Sequence, residues 1–257
     1  MCELFGVSAR KKIPLGRYLR EFFSHSADHP NGWGLAFFHG NAASVEKEPF
    51  RASDSRYLKA RLRAPAESAA MFAHIRRATK GHETYENTHP FVGRDRSGRL
   101  WTLIHNGTVF ESADLDPYVR VQEGDTDSER ILLYFLDSLN AAEREKGAPL
   151  DAGERFSVIA ARTARIAPGN KVNFLLYDGE LVYAHANVLS GLHVLMREEG
   201  AVFSTVPLCG EPFVPVPLNT VEAYREGRRV FSAAPHPHVY TEDAEKMRLL
   251  FLEYAEL

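Results

Sequence analysis

Cysteine is scarce in this chain, long apolar runs are absent, and neither sign of charge dominates. Each shortage removes a class of protein. Only Cys2 and Cys209 occur among 257 residues. A chain of this length has no need of a disulfide framework, so both thiols are expected to stay reduced. No stretch approaches the roughly 20 consecutive apolar residues of a membrane-spanning helix. Arg10, Lys11 and Lys12 interrupt the N-terminus before a signal-peptide core can form. The expected location is the cytoplasm, with no membrane partner. A formal net charge of −3 leaves no basic footprint of the kind nucleic acid demands, so no nucleic-acid partner is expected. The short clusters RKK at 10–12 and REGRR at 225–229 read as solvated surface.

What remains is ordinary globular material, 44% hydrophobic and 25% charged, enough to bury a core. No internal repeat or low-complexity linker divides it, and residues 1–257 are expected to form a single domain. The Pro-rich passage EPFVPVPLNT at 211–220 is too apolar for a flexible hinge and reads as an extended segment. Short apolar runs predict strands at 33–38, 69–76, 100–107, 173–186, 192–196, 201–205 and 228–233, with Asp178-Gly179 as a hairpin turn inside the fourth. Helical spacing predicts helices over 53–64, 126–146, 154–167 and 242–257, the second opening with Thr126 three residues before Glu129 as in a capping box. Helices mixed irregularly with hairpin-linked strands argue an α+β fold with antiparallel sheets.

Cys2 carries the chemistry. Removal of Met1, which a residue as small as cysteine permits, would give one residue both a thiol and a free α-amine. The thiolate is the nucleophilic form, and an unperturbed thiol with a pKa near 8.5 is only a few per cent ionised at neutral pH. An α-amine, with a pKa of about 7.7–8, is partly neutral there and can accept the thiol proton. From its position alone Cys2 is equally readable as a buried cysteine at the start of a strand.

Four stretches stand out beside it: MCELFG at the start, AHIRRAT at 73–79, IHNGT at 104–108 and GDTDSE at 124–129. In order and spacing they resemble the glutaminase domain of class II glutamine amidotransferases, a branch of the N-terminal-nucleophile hydrolases. NGWGLAFF at 31–38 and NTHPF at 87–91 also look like segments of that family, so the resemblance spans most of the chain. Within it the chain is similar to the small stand-alone group of YafJ type, whose members open on MCELLG-like sequences. The resemblance implies a four-layer αββα sandwich, with Cys2 as nucleophile and Asn106 and Gly107 as the oxyanion hole. Arg76 would hold the α-carboxylate of glutamine and Asp127 its α-amine, with Thr79 and His89 near the glutamine pocket.

The residue types suit those roles, and each has a plainer alternative. A tetrahedral oxyanion wants preorganised donors, which the Asn106 amide and a backbone N–H can supply, yet Asn-Gly also forms turns in any β protein. A guanidinium grips a carboxylate as a fork. Arg76 is preferred to Arg77 because adjacent strand residues face opposite ways. Asp127 is equally suited to capping the helix that follows. Asp125 and Asp127 mimic the start of a calcium loop that no glycine or terminal Glu completes, and His74, His82, His89 and His105 lack ligand spacing, so no metal is expected. Trp33 and Gly34 are expected to pack beside the nucleophile strand. The loops at 24–32 and 80–90, polar and rich in turn formers, are expected to form flexible walls of the site.

The implied reaction is hydrolysis of the γ-amide of glutamine, or of another γ-glutamyl amide, with no cofactor. Three readings follow. The chain is a glutaminase that passes ammonia to a separate synthase subunit, a stand-alone hydrolase of a γ-glutamyl metabolite, or a non-catalytic γ-glutamyl binding module.

Overall fold

The computed structural model describes residues 2–243 and, beyond them, residues 245, 248 and 250. In chain order the strands are β1 (Glu3–Pro14), β2 (Trp33–Phe38), β3 (Ala43–Glu48), β4 (Glu67–Ile75), β5 (Phe91–Arg94), β6 (Leu100–Thr108), β7 (Lys171–Tyr177), β8 (Val182–His185), β9 (His193–Met196), β10 (Gly200–Ser204), β11 (Val214–Pro215), β12 (Glu222–Arg225) and β13 (Arg228–Ser232). The helices are α1 (Gly16–Ser24), α2 (Arg56–Arg61), α3 (Asp127–Lys146) and α4 (Ala152–Ile166). One sheet has the order β11-β9-β10-β1-β4-β2-β3 and the other β13-β12-β8-β7-β6-β5, and the pairings in both are antiparallel.

Period-two alternation builds the layers, because successive strand side chains face opposite sides. On β1, Phe5 and Val7 join α1 and α2 residues in one buried cluster, while Leu4 joins Ile104, Leu175 and Phe203 in a cluster between the sheets. On β6 and β7, Trp101, Leu103, Val172 and Phe174 face Ile131, Phe135 and Ile159 of α3 and α4. The result is a four-layer αββα sandwich with three stacked cores, the expected α+β architecture.

Local chemistry accounts for several boundaries. The Thr126 hydroxyl accepts the Glu129 N–H at 3.3 Å, so α3 starts where the cap pattern placed it. Only half of the box forms, since the Glu129 carboxylate takes the N–H groups of Glu123 and Gly124 instead. Asp151 and Glu154 make a complete capping box, which starts α4 two residues before the expected position. In the β7–β8 hairpin, the Asp178 carboxylate accepts from Glu180 N, Leu181 N and the Tyr183 hydroxyl, and pairs with buried Arg155 of α4 at 2.8 Å.

Elsewhere the structure differs from expectation. The 53–64 helix shrinks to α2 because residues 52–54 form a 3-10 turn and the Ser55 hydroxyl caps at Leu58 N. Helix α1 has no counterpart in the sequence reading, although Tyr18, Leu19, Phe22 and Phe23 form its buried face. The helix expected over 242–257 lies largely outside the described residues. Trp33 and Gly34 do not neighbour the nucleophile strand, because β4 separates β2 from β1. Trp33 instead packs on Phe23 and Tyr57 in the helix-side core. Gly34 serves the 80–90 wall: a Cβ there would collide with the His89 carbonyl oxygen and stand 2.9 Å from Pro90 Cδ. Gly34→Ala is therefore expected to destabilise the fold by about 1–3 kcal/mol through overpacking against backbone, read as a lower urea midpoint with unchanged slope.

Candidate active site

Cys2 stands one residue ahead of β1, whose register pairs Glu3 with Ile75 at the end of β4. Continuing that pairing brings Cys2 opposite the Arg76-Arg77 step, and the Arg77 N–H donates to Sγ at 3.4 Å. Burial pushes the Cys2 thiol above its ordinary pKa, while the Arg77 N–H and the Arg76 charge draw it down and Asp127 raises it. The resting residue is a thiol that needs a base.

Arg76 and Arg77 face opposite ways, as adjacent residues at a strand end must. Arg77 is exposed, and Arg76 is buried at 2% exposure. The Arg76 guanidinium donates to the carbonyls of Asn31, Lys80, Gly81 and His82, which pins the 80–82 loop over the site. It makes no ion pair among the described residues. Asn31 ties the two loop walls together: its Nδ2 donates to Glu83 at 2.6 Å, and its Oδ1 accepts the Ala78 N–H. The loops at 24–32 and 80–90 are thus walls held by hydrogen bonds.

Asp127, first residue of α3, is also buried, at 4% exposure. Its Oδ2 accepts the Val109 N–H at 2.6 Å and its Oδ1 lies 3.4 Å from the Ser128 hydroxyl. No cation pairs with it among the described residues, and its charge acts on Cys2. His105 locks this corner, with Nδ1 at 2.9 Å from the Ser128 hydroxyl and Nε2 donating to the Lys171 carbonyl. Thr79 meets the hydroxyl of Thr108 at 3.0 Å, which fastens the AHIRRAT segment to the end of β6.

Asn106 projects between the sheets beside its cross-strand partner Asn173. Both are buried, and Asn106 Oδ1 and Asn173 Nδ2 have no hydrogen-bond partner among the described residues. Gly107 is glycine for a reason the sequence did not show. A Cβ there would collide with the Lys171 carbonyl and the His105 ring, so the missing side chain is a packing requirement on the helix side.

His89 stacks on His74 at 4.0 Å and meets Phe91 edge-on, with neither ring nitrogen hydrogen-bonded among the described residues. Burial lowers His74 to about 3 and takes His89 well below the usual histidine range. Both are neutral at physiological pH and packed in the interior, within the field of Arg76. The structure therefore brings together Cys2, Arg76, Asp127, Asn106, Gly107 and Thr79. It adds Asn31 and Ser128, which lie within the motif stretches but were not singled out, and Lys171 and Asn173, which carried no motif signal.

Two antiparallel sheets stacked between helical layers, with a cysteine just ahead of a central strand, define the N-terminal-nucleophile hydrolase architecture. The family described as class-II glutamine amidotransferases matches residues 1–236, and the chain belongs to that family of enzymes. The Methanocaldococcus jannaschii protein MJ1515 is 30% identical over 261 residues, covering 90% of this chain and 71% of its own. The Escherichia coli K12 protein YafJ is 32% identical over 202 residues, covering 77% and 76% respectively. Among solved structures, the glutamine phosphoribosylpyrophosphate amidotransferase of B. subtilis superposes with a TM-score of 0.63 at 16% identity, over 90% of this chain and 49% of that one. That likeness concerns the fold, and this chain spans about half of that enzyme.

Proposed function

We propose that the protein is a glutaminase in which Cys2, made N-terminal by removal of Met1, cleaves the γ-amide of glutamine to glutamate and ammonia. Residues 1–257 would act as one domain. The observation that carries this reading is a pair of buried opposite charges, Arg76 and Asp127. Both act on the Cys2 thiol, and neither forms an ion pair among the described residues. A carboxylate and an ammonium on one small ligand would complete them.

In the proposed reaction the α-amine of Cys2 takes the thiol proton as Sγ bonds to the γ-carbonyl carbon. The oxyanion is held by the Asn106 amide and the Gly107 N–H. Collapse breaks the C–N bond, the amine returns its proton to the departing ammonia, and water cleaves the γ-glutamyl thioester. Arg76 would meet the α-carboxylate by exchanging part of its loop carbonyl contacts, and Asp127 Oδ1 is the oxygen left for the ammonium.

The test is glutamate release by purified protein after intact mass has established loss of Met1. Correctly processed protein that releases no glutamate from any γ-glutamyl amide would sink the reading. Asp127→Asn keeps an acceptor for Val109 N–H but loses the charge. It should lower kcat/KM for glutamine about 10- to 100-fold, the worth of a hydrogen bond to a charged group, with the loss mostly in KM. Because the base must be unprotonated, activity should fall as pH drops through the α-amine range of about 7.7–8. His74, held to about 3 by burial, adds no inflection near 6.5.

A further inference from the structure

Lys171 opens β7 beside the nucleophile, and no step above uses its side chain. Its position is set by the sheet: Lys171 pairs with Thr108 as Asn173 pairs with Asn106. Cross-strand partners share a face, and Ile104 and Leu175 show that this face looks between the sheets. Lys171 therefore projects on the same side as Asn106, next to the Thr108–Thr79 contact.

The residue is 7% exposed, yet among the described residues no carboxylate lies within 4.0 Å of its ammonium. Burial lowers its pKa, opposed by Glu242 and by Cys2. An uncompensated buried ammonium is costly to keep. Arg76 and Asp127 match the two charges of an α-amino acid, so Lys171 is a third charge with no counterpart on glutamine. Lys171 shares the between-sheet face with Asn106, the proposed oxyanion donor, and Cys2 is among the charges that act on it, so its ammonium lies on the face where the scissile amide would sit.

We propose that Lys171 binds a carboxylate on the amine side of the scissile bond, so that the site takes γ-glutamyl amino acids or short γ-glutamyl peptides in preference to glutamine. This deepens the reading of Cys2 as nucleophile and rests on it. The group released is then an amino acid or peptide bearing its own carboxylate, and the bonds made and broken at Cys2 are unchanged.

The decisive comparison is γ-glutamylglycine against γ-glutamylglycinamide, which share the cleaved amide and differ only in the terminal charge. In wild-type protein kcat/KM should favour the acid about 10- to 100-fold, as expected for a hydrogen bond to a charged group. Lys171→Met should bring the ratio near one, and Lys171→Arg should retain most of it. A wild-type ratio near one overturns the proposal without any variant. Equal losses on both substrates in Lys171→Met also overturn it, because they assign the ammonium to the thiolate. Calorimetric binding of the same pair to Cys2→Ala protein repeats the test without turnover. Cys2-dependent hydrolysis with no preference for the acid defeats only this inference. Acid-selective binding without hydrolysis defeats only the catalytic reading.

Discussion

Cys2→Ala is expected to reduce glutamate release to background, a loss of about 10⁶-fold if it follows removal of a catalytic nucleophile elsewhere. Among the described residues no second thiol stands near the site. His74 and His89 are buried, neutral and turned to packing, and Cys209 lies against Glu21 on another part of the molecule. The substitution should cost little stability, because Sγ exchanges only weak sulfur hydrogen bonds with the Arg77 backbone. Alanine is also small enough to allow removal of Met1, so processing stays matched. The measurement is coupled glutamate detection on protein whose intact mass and thermal midpoint equal those of wild type. Retention of even a few per cent of the rate would remove Cys2 from the mechanism.

Asn106→Ala should lower kcat by about 10²–10³, the usual result of deleting one oxyanion donor, with KM little changed because the donor acts on charge present only in the transition state. Stability should move the other way from most buried polar deletions. Asn106 Oδ1 has no hydrogen-bond partner among the described residues, so truncation relieves an unpaired buried acceptor. A kinetic loss without a lower thermal midpoint would support the assignment. Equal falls in both would mark Asn106 as a structural residue of β6.

The residues proposed as nucleophile, charge pair and oxyanion donors were legible because each sits in a short motif whose residue types match one chemical task. The face of each was not. Arg76 proved to hold four loop carbonyls, a role visible only once the 80–82 loop folds back on it. His89 resembled a residue near the glutamine pocket, and its stacking on His74 was not visible in the sequence. Gly107 was singled out for its part in an oxyanion hole, and its need to lack a Cβ beside the Lys171 carbonyl was not visible in the sequence. Lys171 and Asn173 carried no signature, since their importance comes from pairing with β6 across a long stretch of intervening chain.

By itself the sequence determined the features decided within a few residues. These are the alternating strands, the Thr126 cap, the Asp178-Gly179 turn and the order of motifs that marks a class II glutamine amidotransferase. Capping, turn geometry and side-chain alternation are short-range effects, so their causes lie in the local letters. Only the tertiary structure decided that β4 stands between β1 and β2, that α1 packs on the first sheet, and that the charges of Arg76 and Asp127 act on Cys2 as Cys2 acts on Lys171, with no ion pair of these three charges among the described residues. Strand order, register and burial are set by apolar surfaces that meet across the whole chain, and the placing of these charges near one thiol follows from that packing.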